Sequence, residues 1–255
     1  MKKTAIIQAR MSSTRLSGKI LMEIGNHPMI GHSLMRLKKC RQIDEIILAT
    51  STQKDDDCLA DIAQTYQINL YRGPLDDVLR RYVGAATQAK SDIILRVTSD
   101  CPFLDSGLID EVLKDRARFN RHTLDRYVTT HHALPRGLDA CAFSFDLLKL
   151  THQQSSLKRF REHVTLYFTD GPYPAQKIEI GAPTQTQLKI MRSLSNKRLR
   201  WCVDEQADLE AMRALFNHAI KMGFGTFFDY QQAIKVIKDC PSIALINRHV
   251  RQKKP

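Results

Sequence analysis

Four short apolar runs punctuate the first hundred residues of this chain: TAIIQA from residue 4, DEIILAT from 44, INLYRG from 68 and DIILRVTS from 92. Longer amphipathic stretches separate them. PMIGHSLMRLKKC sets Met29, Ile30, Leu34 and Leu37 at helical spacing, and DDDCLADIAQTY opens on three aspartates, which suit a helix N-terminus. LDDVLRRYVGAATQA and DSGLIDEVLKDRARF read as further helices, the second with Asp105 as N-cap. Strand and helix alternating in this way predict an α/β protein with a mainly parallel, doubly wound sheet. Ligands of such sheets bind beyond the carboxyl ends of the strands, so the residues that follow each strand carry the functional question.

Past about residue 120 the alternation weakens. RYVTTHHALPRGLDACAFS carries Pro135 and Gly137 between strand-like runs and reads as a small antiparallel excursion or a flap. SSLKRFREHVTLYFTD reads as helical, KIEIGA and RLRWCV as strands, and DEQADLEAMRALFNHAIKM as an amphipathic helix. Without internal repeats or low-complexity segments, the 255 residues are expected to form one domain, 1–255.

The N-terminus MKKTAIIQARM begins like a signal peptide, but Gln8 and Arg10 cut its apolar run short. No run approaches the roughly 20 apolar residues of a membrane helix. A cytoplasmic protein without membrane contact is expected. Its six cysteines, at 40, 58, 101, 141, 202 and 240, form no C-x-x-C pair and are expected as reduced thiols. His131-His132 is the only adjacent histidine pair, and neither cysteine nor carboxylate stands near it at ligand spacing, which argues against a histidine metal site. The net charge of +12 fits nucleic acid, an anionic surface or a polyanionic small substrate. No basic helix interleaved with aromatics appears, so nucleic acid is not expected as a partner. Part of the charge lies in the tail RHVRQKKP, which reads as frayed and solvated.

After the first strand comes QARMSSTRLSGKI, residues 8–20. Its Gly18-Lys19 ending suggests a P-loop, which requires G-x-x-x-x-G-K-[ST]. Ser13 stands where the first glycine belongs and Ile20 where the hydroxyl belongs; isoleucine cannot ligate magnesium. The P-loop reading fails at both ends. What remains is a loop of small residues, Ser12, Ser13, Thr14, Ser17 and Gly18, that can turn backbone N–H groups toward an anion. Arg10, Arg15 and Lys19 supply charge. The alternative is a solvated basic loop.

Three further stretches carry candidate chemistry. In RVTSDCPFLD, Asp100 follows a strand and faces the same crevice as the first loop if the sheet is doubly wound. Opposite a triphosphate it would repel the ligand unless Mg²⁺ lay between. In LRWCVDEQADLE, Asp204 follows an apolar run and, paired with Asp100, is a second candidate ligand. Either aspartate could instead cap a helix or a turn. In LPRGLDAC a Pro-Arg-Gly turn presents Arg136 and Asp139, and Arg136 could hold an anionic acceptor bidentately. Arg161, Glu162 and His163 in FREHVT are acceptor contacts or a surface charge cluster.

In this order, IIQARMSSTRLSGKIL, IDEIILATS, YRGPLDDVLRRY, ILRVTSDCPFLD, LPRGLDACAFS, REHVT and LRWCVDEQADLE span about residues 5–213. They resemble the cytidylyltransferase-like family that includes the spore coat polysaccharide biosynthesis proteins of the SpsF type. More distantly they are similar to the acylneuraminate and 3-deoxy-manno-octulosonate cytidylyltransferases. The resemblance implies a Rossmann-like nucleotide-diphospho-sugar transferase fold. The implied activity is a Mg²⁺-dependent nucleotidyltransferase that activates an acidic sugar, such as a nonulosonic acid, with CTP. Its products would be a CMP-sugar, for surface polysaccharide or glycan assembly, and pyrophosphate.

The resemblance also implies roles. Gln8, Ala9, Arg10, Ser12, Ser13, Arg15, Lys19, Asp77, Arg81 and Thr98 would bind the nucleotide, with Lys19, Arg10 and Asp100 catalytic. Asp100 and Asp204 would hold Mg²⁺, and Arg136, Asp139, Glu162 and His163 would face the acceptor. The excursion at about 125–185 would bind acceptor or serve as the arm of a homodimer. The chain departs from the family at Ser17, where proline usually gives R-L-P-G-K, and at Arg80, where an acidic residue often stands in D-V-L-x-R-Y. A glycosyltransferase using a finished nucleotide-sugar is the rival enzyme reading, but its D-x-D pattern, at Asp55 and Asp57, lies at an expected helix start away from the crevice. A non-catalytic anion or nucleic-acid binder is the rival outside enzymes, and it predicts strongly salt-dependent binding.

Overall fold

The central strands bury both faces, which is why their sequences run continuously apolar instead of alternating. A computed structural model describes residues 1–13, 15–194 and 198–252; Thr14 of the first loop and the last three residues of the basic tail lie outside these. The first half of the chain comprises β1 (Lys3–Gln8), the short pair β2 (Glu23–Ile24) and β3 (His27–Pro28), α1 (Met29–Lys38), β4 (Glu45–Ser51), α2 (Cys58–Thr65), β5 (Asn69–Gly73), α3 (Val78–Gln88), β6 (Ile93–Thr98) and α4 (Ser106–Arg116). The second half comprises β7 (Arg126–Thr130), β8 (Cys141–Ser144), α5 (Phe145–Gln154), α6 (Lys158–Glu162), α7 (Leu166–Thr169), β9 (Gln176–Ile180), α8 (Gln185–Leu194), α9 (Gln206–Lys221), α10 (Tyr230–Asp239) and α11 (Ile243–Ile246).

Seven strands form one sheet in the order β5-β4-β1-β6-β8-β7-β9. β5, β4, β1 and β6 are parallel, β8 is antiparallel to both β6 and β7, and β9 is parallel to β7. The expected excursion therefore widens the main sheet and does not stand off as a flap. From β1 the chain steps outward to β4 and β5, then returns to the other side of β1 as β6. That reversal is a topological switch point, where a crevice opens beyond the strand ends. Gln8 and Thr98, paired in register, close the two strands there.

Side chains alternate between two cores. Ala5, Ile7, Leu48 and Leu95 pack with Leu34 of α1, Val112 of α4 and Met212 of α9. Ile6, Ile47 and Ile94 pack on the other face with Leu79 and Tyr82 of α3 and Leu147 of α5. Asp105 caps α4, accepting from Leu108 N–H at 3.0 Å, and its other oxygen accepts from Tyr230 N–H at 3.0 Å. One carboxylate thus fixes α4 against α10.

The second half differs from its sequence reading in two places. SSLKRFREHVTLYFTD breaks into α6 and α7, with His163 at φ −104° and ψ 59° between them. RLRWCV makes no strand: Trp201 N–H donates to Arg136 O at 2.6 Å and Val203 N–H to Asp100 O at 2.7 Å, so its hydrogen bonds serve two separate segments and no ladder forms. In the first half, the three aspartates before α2 divide: Asp55 and Asp56 lie in a 3-10 turn, Lys54–Asp56, and Asp57 stands at the N-cap of α2 as expected. All six cysteines are free, and Cys40, Cys101 and Cys202 are buried. Among the described residues no helix is long and apolar enough to cross a membrane.

His32 on α1 is buried, 2.7 Å from Ile24 O and edge-on to Phe216. Burial pushes its pKa from 6.5 down to about 4, with Arg36 and His27 lowering it and the Ile24 carbonyl opposing. Between these values the unfolded chain takes up a proton that the folded chain refuses, so folding stability falls as pH drops from about 6.5 to about 4. Urea titrations across this range should show that component in the wild type and lack it in His32→Gln.

Candidate active site

The loop after β1 is shaped by its own backbone. Ser13 and Gly18 N–H both donate to Met11 O, at 2.9 and 3.3 Å, and Lys19 N–H to Leu16 O at 3.3 Å. Gly18 adopts φ +66°, a conformation that favours glycine. Ser17 is exposed, and the turn's hydrogen bonds run through its neighbours, so serine in place of the family's proline leaves them intact. Ala9 continues the ladder to Ala49 O at 3.1 Å, while Ser12 is exposed and Ser13 half-buried.

A residue not picked out by sequence reading anchors the loop. Asp56, 1% exposed, accepts the Met11 N–H at 2.7 Å and the Ser51 hydroxyl. It sits between the two aspartates of the formal D-x-D pattern, so that segment does reach the crevice, as a support for the loop. Asp57 instead pairs with Arg72 at 2.7 Å. The signal available in the sequence was an aspartate in the segment that follows β4 (Glu45–Ser51), masked by two neighbours of the same type.

The loop's cations converge on the two candidate metal ligands. Lys19 Nζ donates to Val203 O at 2.6 Å and Asp204 Oδ1 at 3.0 Å, and lies 3.8 Å from Asp100 Oδ2. Arg15 Nη2 is 2.9 Å from Asp204 Oδ1, and Arg200 Nη2 is 2.5 Å from Asp204 Oδ2. Asp204 is no helix cap: Glu205 caps α9 in a capping box with Asp208. Burial alone would raise the Asp204 pKa, but Lys19, Arg15 and Arg200 outweigh it and hold the carboxyl below its ordinary range. Asp208, fully buried, accepts from Arg200 Nε at 2.9 Å and from Asp204 N–H at 2.9 Å, fixing both partners.

This donor set fits a hard divalent cation. Asp100 and Asp204 offer oxygen ligands, and one ammonium already stands between them as a surrogate positive charge. Two buried polar atoms in the region, Gln8 Oε1 and Arg15 Nη1, have no hydrogen-bond partner among the described residues. Thr98 closes β6 with its hydroxyl 3.3 Å from the Cys101 thiol.

Other sequence-selected residues have structural partners. Asp77 caps α3, accepting from Arg80 N–H at 2.9 Å, and is gripped by the Arg161 guanidinium, which also donates to His152 O and Ser155 O. Arg81 is buried, with Nη1 on Pro74 O and Leu75 O at 2.6 and 2.7 Å, so it shapes the turn after β5. Arg80, the second family departure, is exposed. Glu162 lies 3.9 Å from Arg10 Nη2, which joins the loop to α6. His163 is half-buried, and its pKa is lowered by burial, with Glu162 opposing and Arg96 adding to the shift.

The Pro-Arg-Gly turn packs against the segment that carries Asp204. Gly137 adopts φ +102°, and a Cβ there would lie 2.5 Å from Trp201 C and 2.8 Å from Cys202 N. Asp139 accepts Gly137 N–H at 2.9 Å and lies 3.7 Å from Arg136 and 3.4 Å from Arg198. Arg136, Arg198, Arg200, Arg248 and Arg251 line a cavity of about 590 Å³. The described part of the tail is mostly exposed, as expected, but is tied down at Gln252, whose Oε1 accepts from Arg200 at 2.5 Å, behind Asp204.

A family model described as Cytidylyltransferase matches residues 4–236. The chain is 31% identical over 253 residues to an uncharacterised protein of Methanocaldococcus jannaschii, covering 99% of this chain and 97% of that one. It is 29% identical over 221 residues to the spore coat polysaccharide biosynthesis protein SpsF of Bacillus subtilis, covering 84% and 86%. Among solved structures, a cytidylyltransferase from Leptospira borgpetersenii serovar Hardjo-bovis superposes with a TM-score of 0.84 at 29% identity, covering 99% of this chain and all of that one.

Gly137→Ala should destabilise the fold by about 2 kcal/mol or more, combining a left-handed backbone with a backbone clash. Urea denaturation measures it, and unchanged stability would show that the turn and residues 201–202 are not rigidly apposed.

Proposed function

Because the chain belongs to the cytidylyltransferase family, we propose that it transfers CMP from CTP to an acidic sugar, forming a CMP-sugar and pyrophosphate, with Mg²⁺ as cofactor. Nonulosonic and related acids are the acceptor class, and surface polysaccharide or glycan assembly is the role. The observation that carries this reading is the meeting of the cationic loop with Asp100 and Asp204 at the β1–β6 switch point.

In this reading Arg10, Arg15 and Lys19 bind the triphosphate, and the Ser12 and Ser13 region turns toward it. Arg15 and Lys19 exchange the Asp204 carboxylate for phosphate oxygens, and the unpartnered Arg15 Nη1 gains an acceptor. A sugar hydroxyl attacks the α-phosphorus in line. The new P–O bond forms as the bond to the β-phosphate oxygen breaks, the hydroxyl proton passes to water, and negative charge moves onto pyrophosphate, where the cations stabilise it. Asp100 and Asp204 would hold Mg²⁺, which would supply further positive charge and lower the pKa of the attacking hydroxyl. Asp208 and Arg200 keep Asp204 in place meanwhile. Arg136 and Arg198 offer guanidinium groups to the acceptor carboxylate, a planar, bidentate match. The name of the Bacillus relative supports the polysaccharide role.

Pyrophosphate release is the test. With CTP, MgCl₂ and a panel of nonulosonic and octulosonic acids, at least one acid should yield pyrophosphate, with CTP preferred over the other nucleoside triphosphates. Asp100→Asn should lower kcat by about 100-fold or more. Release from no acid in the panel would overturn the acceptor class. Failure of CTP to raise the melting temperature would overturn the nucleotide assignment itself.

A further inference from the structure

His131 and His132 gain a carboxylate that their sequence neighbourhood lacks. β7 and β9 pair in parallel, with Thr129 opposite Glu179 and Thr130 opposite Ile180, and His131 N–H extends the ladder to Ile180 O at 2.8 Å. Glu179 Oε1 then accepts the His132 N–H at 3.0 Å, and both carboxylate oxygens lie 3.1 Å from His132 Nδ1. The two imidazoles stack with centroids 4.4 Å apart. One ligand atom from each of His131, His132 and Glu179 falls within 4.8 Å of the others. Among the described residues this is the one such group of three.

We propose that His131, His132 and Glu179 bind a divalent transition-metal ion of the zinc class, at a site separate from Asp100 and Asp204. Two imidazoles and one carboxylate are a borderline-soft donor set that favours zinc-like ions over magnesium or calcium, which prefer oxygen. Ligands on a tetrahedral zinc, at bond lengths of about 2.0–2.2 Å, lie roughly 3.3–3.5 Å apart. The His132–Glu179 separation of 3.1 Å is already within a few tenths of an ångström of this. His132 is exposed, and turning its ring out of the stack with His131 would bring both imidazole nitrogens onto one ion. Coordination by His131 Nδ1 exchanges the Ala133 N–H bond of 3.1 Å, at a half-buried site that water can reach. Lys177 Nζ, 3.3 Å from Glu179, shows that the carboxylate already attracts positive charge, and its exposed side chain can withdraw.

Bound there, the ion would staple the turn after β7 to β9. Leu134 N–H returns to His131 O at 3.0 Å within this turn, which leads directly into Arg136 and Gly137. Three protein ligands also leave a coordination position open to solvent.

Calorimetric titration of the metal-free full chain with ZnCl₂ tests the site. One equivalent should bind, and His132→Ala and Glu179→Gln should each weaken binding at least about ten-fold, the loss expected for a missing ligand. His122→Ala, which alters a separate histidine–carboxylate pair with Asp146, should leave binding unchanged. Cobalt at the same site should show d–d absorption without a thiolate charge-transfer band, which separates it from binding by the six cysteines. Zinc affinity equal in wild type, His132→Ala and Glu179→Gln, a thiolate band, or no binding would each overturn the proposal.

Discussion

The buried carboxylate of Asp204 holds the crevice together. Arg15 and Lys19 reach it from the loop after β1, and Arg200 from the segment before α9. A carboxylate removed from water this far is costly unless it is paired and hydrogen-bonded. Three cations meet that demand, two from the loop after β1 and one from the segment of Asp204 itself, far along the chain. Removing any one partner would leave the others with uncompensated charge, so the loop, the end of β6 and the 198–204 segment behave as one unit. Asp208 extends the same network into α9, and Asn247 donates to both Arg200 O and Asp208, which carries it to the C-terminal segment.

That network also explains how a chain with a +12 charge places its cations. Lys19 and Arg15 are held in position by carboxylates before any anion arrives. A bound triphosphate competes for groups that are already oriented, so little side-chain freedom remains to be lost on binding. Behind Asp204 the arginines of the 590 Å³ cavity form a second basic region, bounded by the tail and by Arg136. Gly137 links the two, because only a residue without a Cβ lets the Arg136 turn lie against the backbone of Trp201 and Cys202.

Local supports matter as much as the groups that face the crevice. Asp56 braces the loop through Met11, Asp77 and Arg161 lock α3 to α6, and Arg81 closes the turn after β5. Sequence reading placed Asp77 and Arg81 among nucleotide contacts; the structure shows Asp77 capping α3 and paired with Arg161, and Arg81 Nη1 donating to Pro74 O and Leu75 O. Polar residues beside a strand end look alike in sequence whether they serve the ligand or the backbone that holds it.

The amino-acid sequence by itself determined the parallel half of the sheet, because strands buried on both faces must be apolar throughout and the helices between them amphipathic. It also determined that the first loop is basic, rich in small residues and not a P-loop, and that Asp100 and Asp204 follow apolar runs. Tertiary structure alone decided which carboxylates meet which cations, since Lys19 and Asp204 are 185 residues apart and periodicity carries no information at that range. It decided that RLRWCV crosses two segments instead of forming a strand, because the hydrogen bonds of one segment can be divided between partners that local propensity cannot foresee. It also brought Glu179 to His131 and His132: strand pairing, not spacing along the chain, sets which side chains become neighbours.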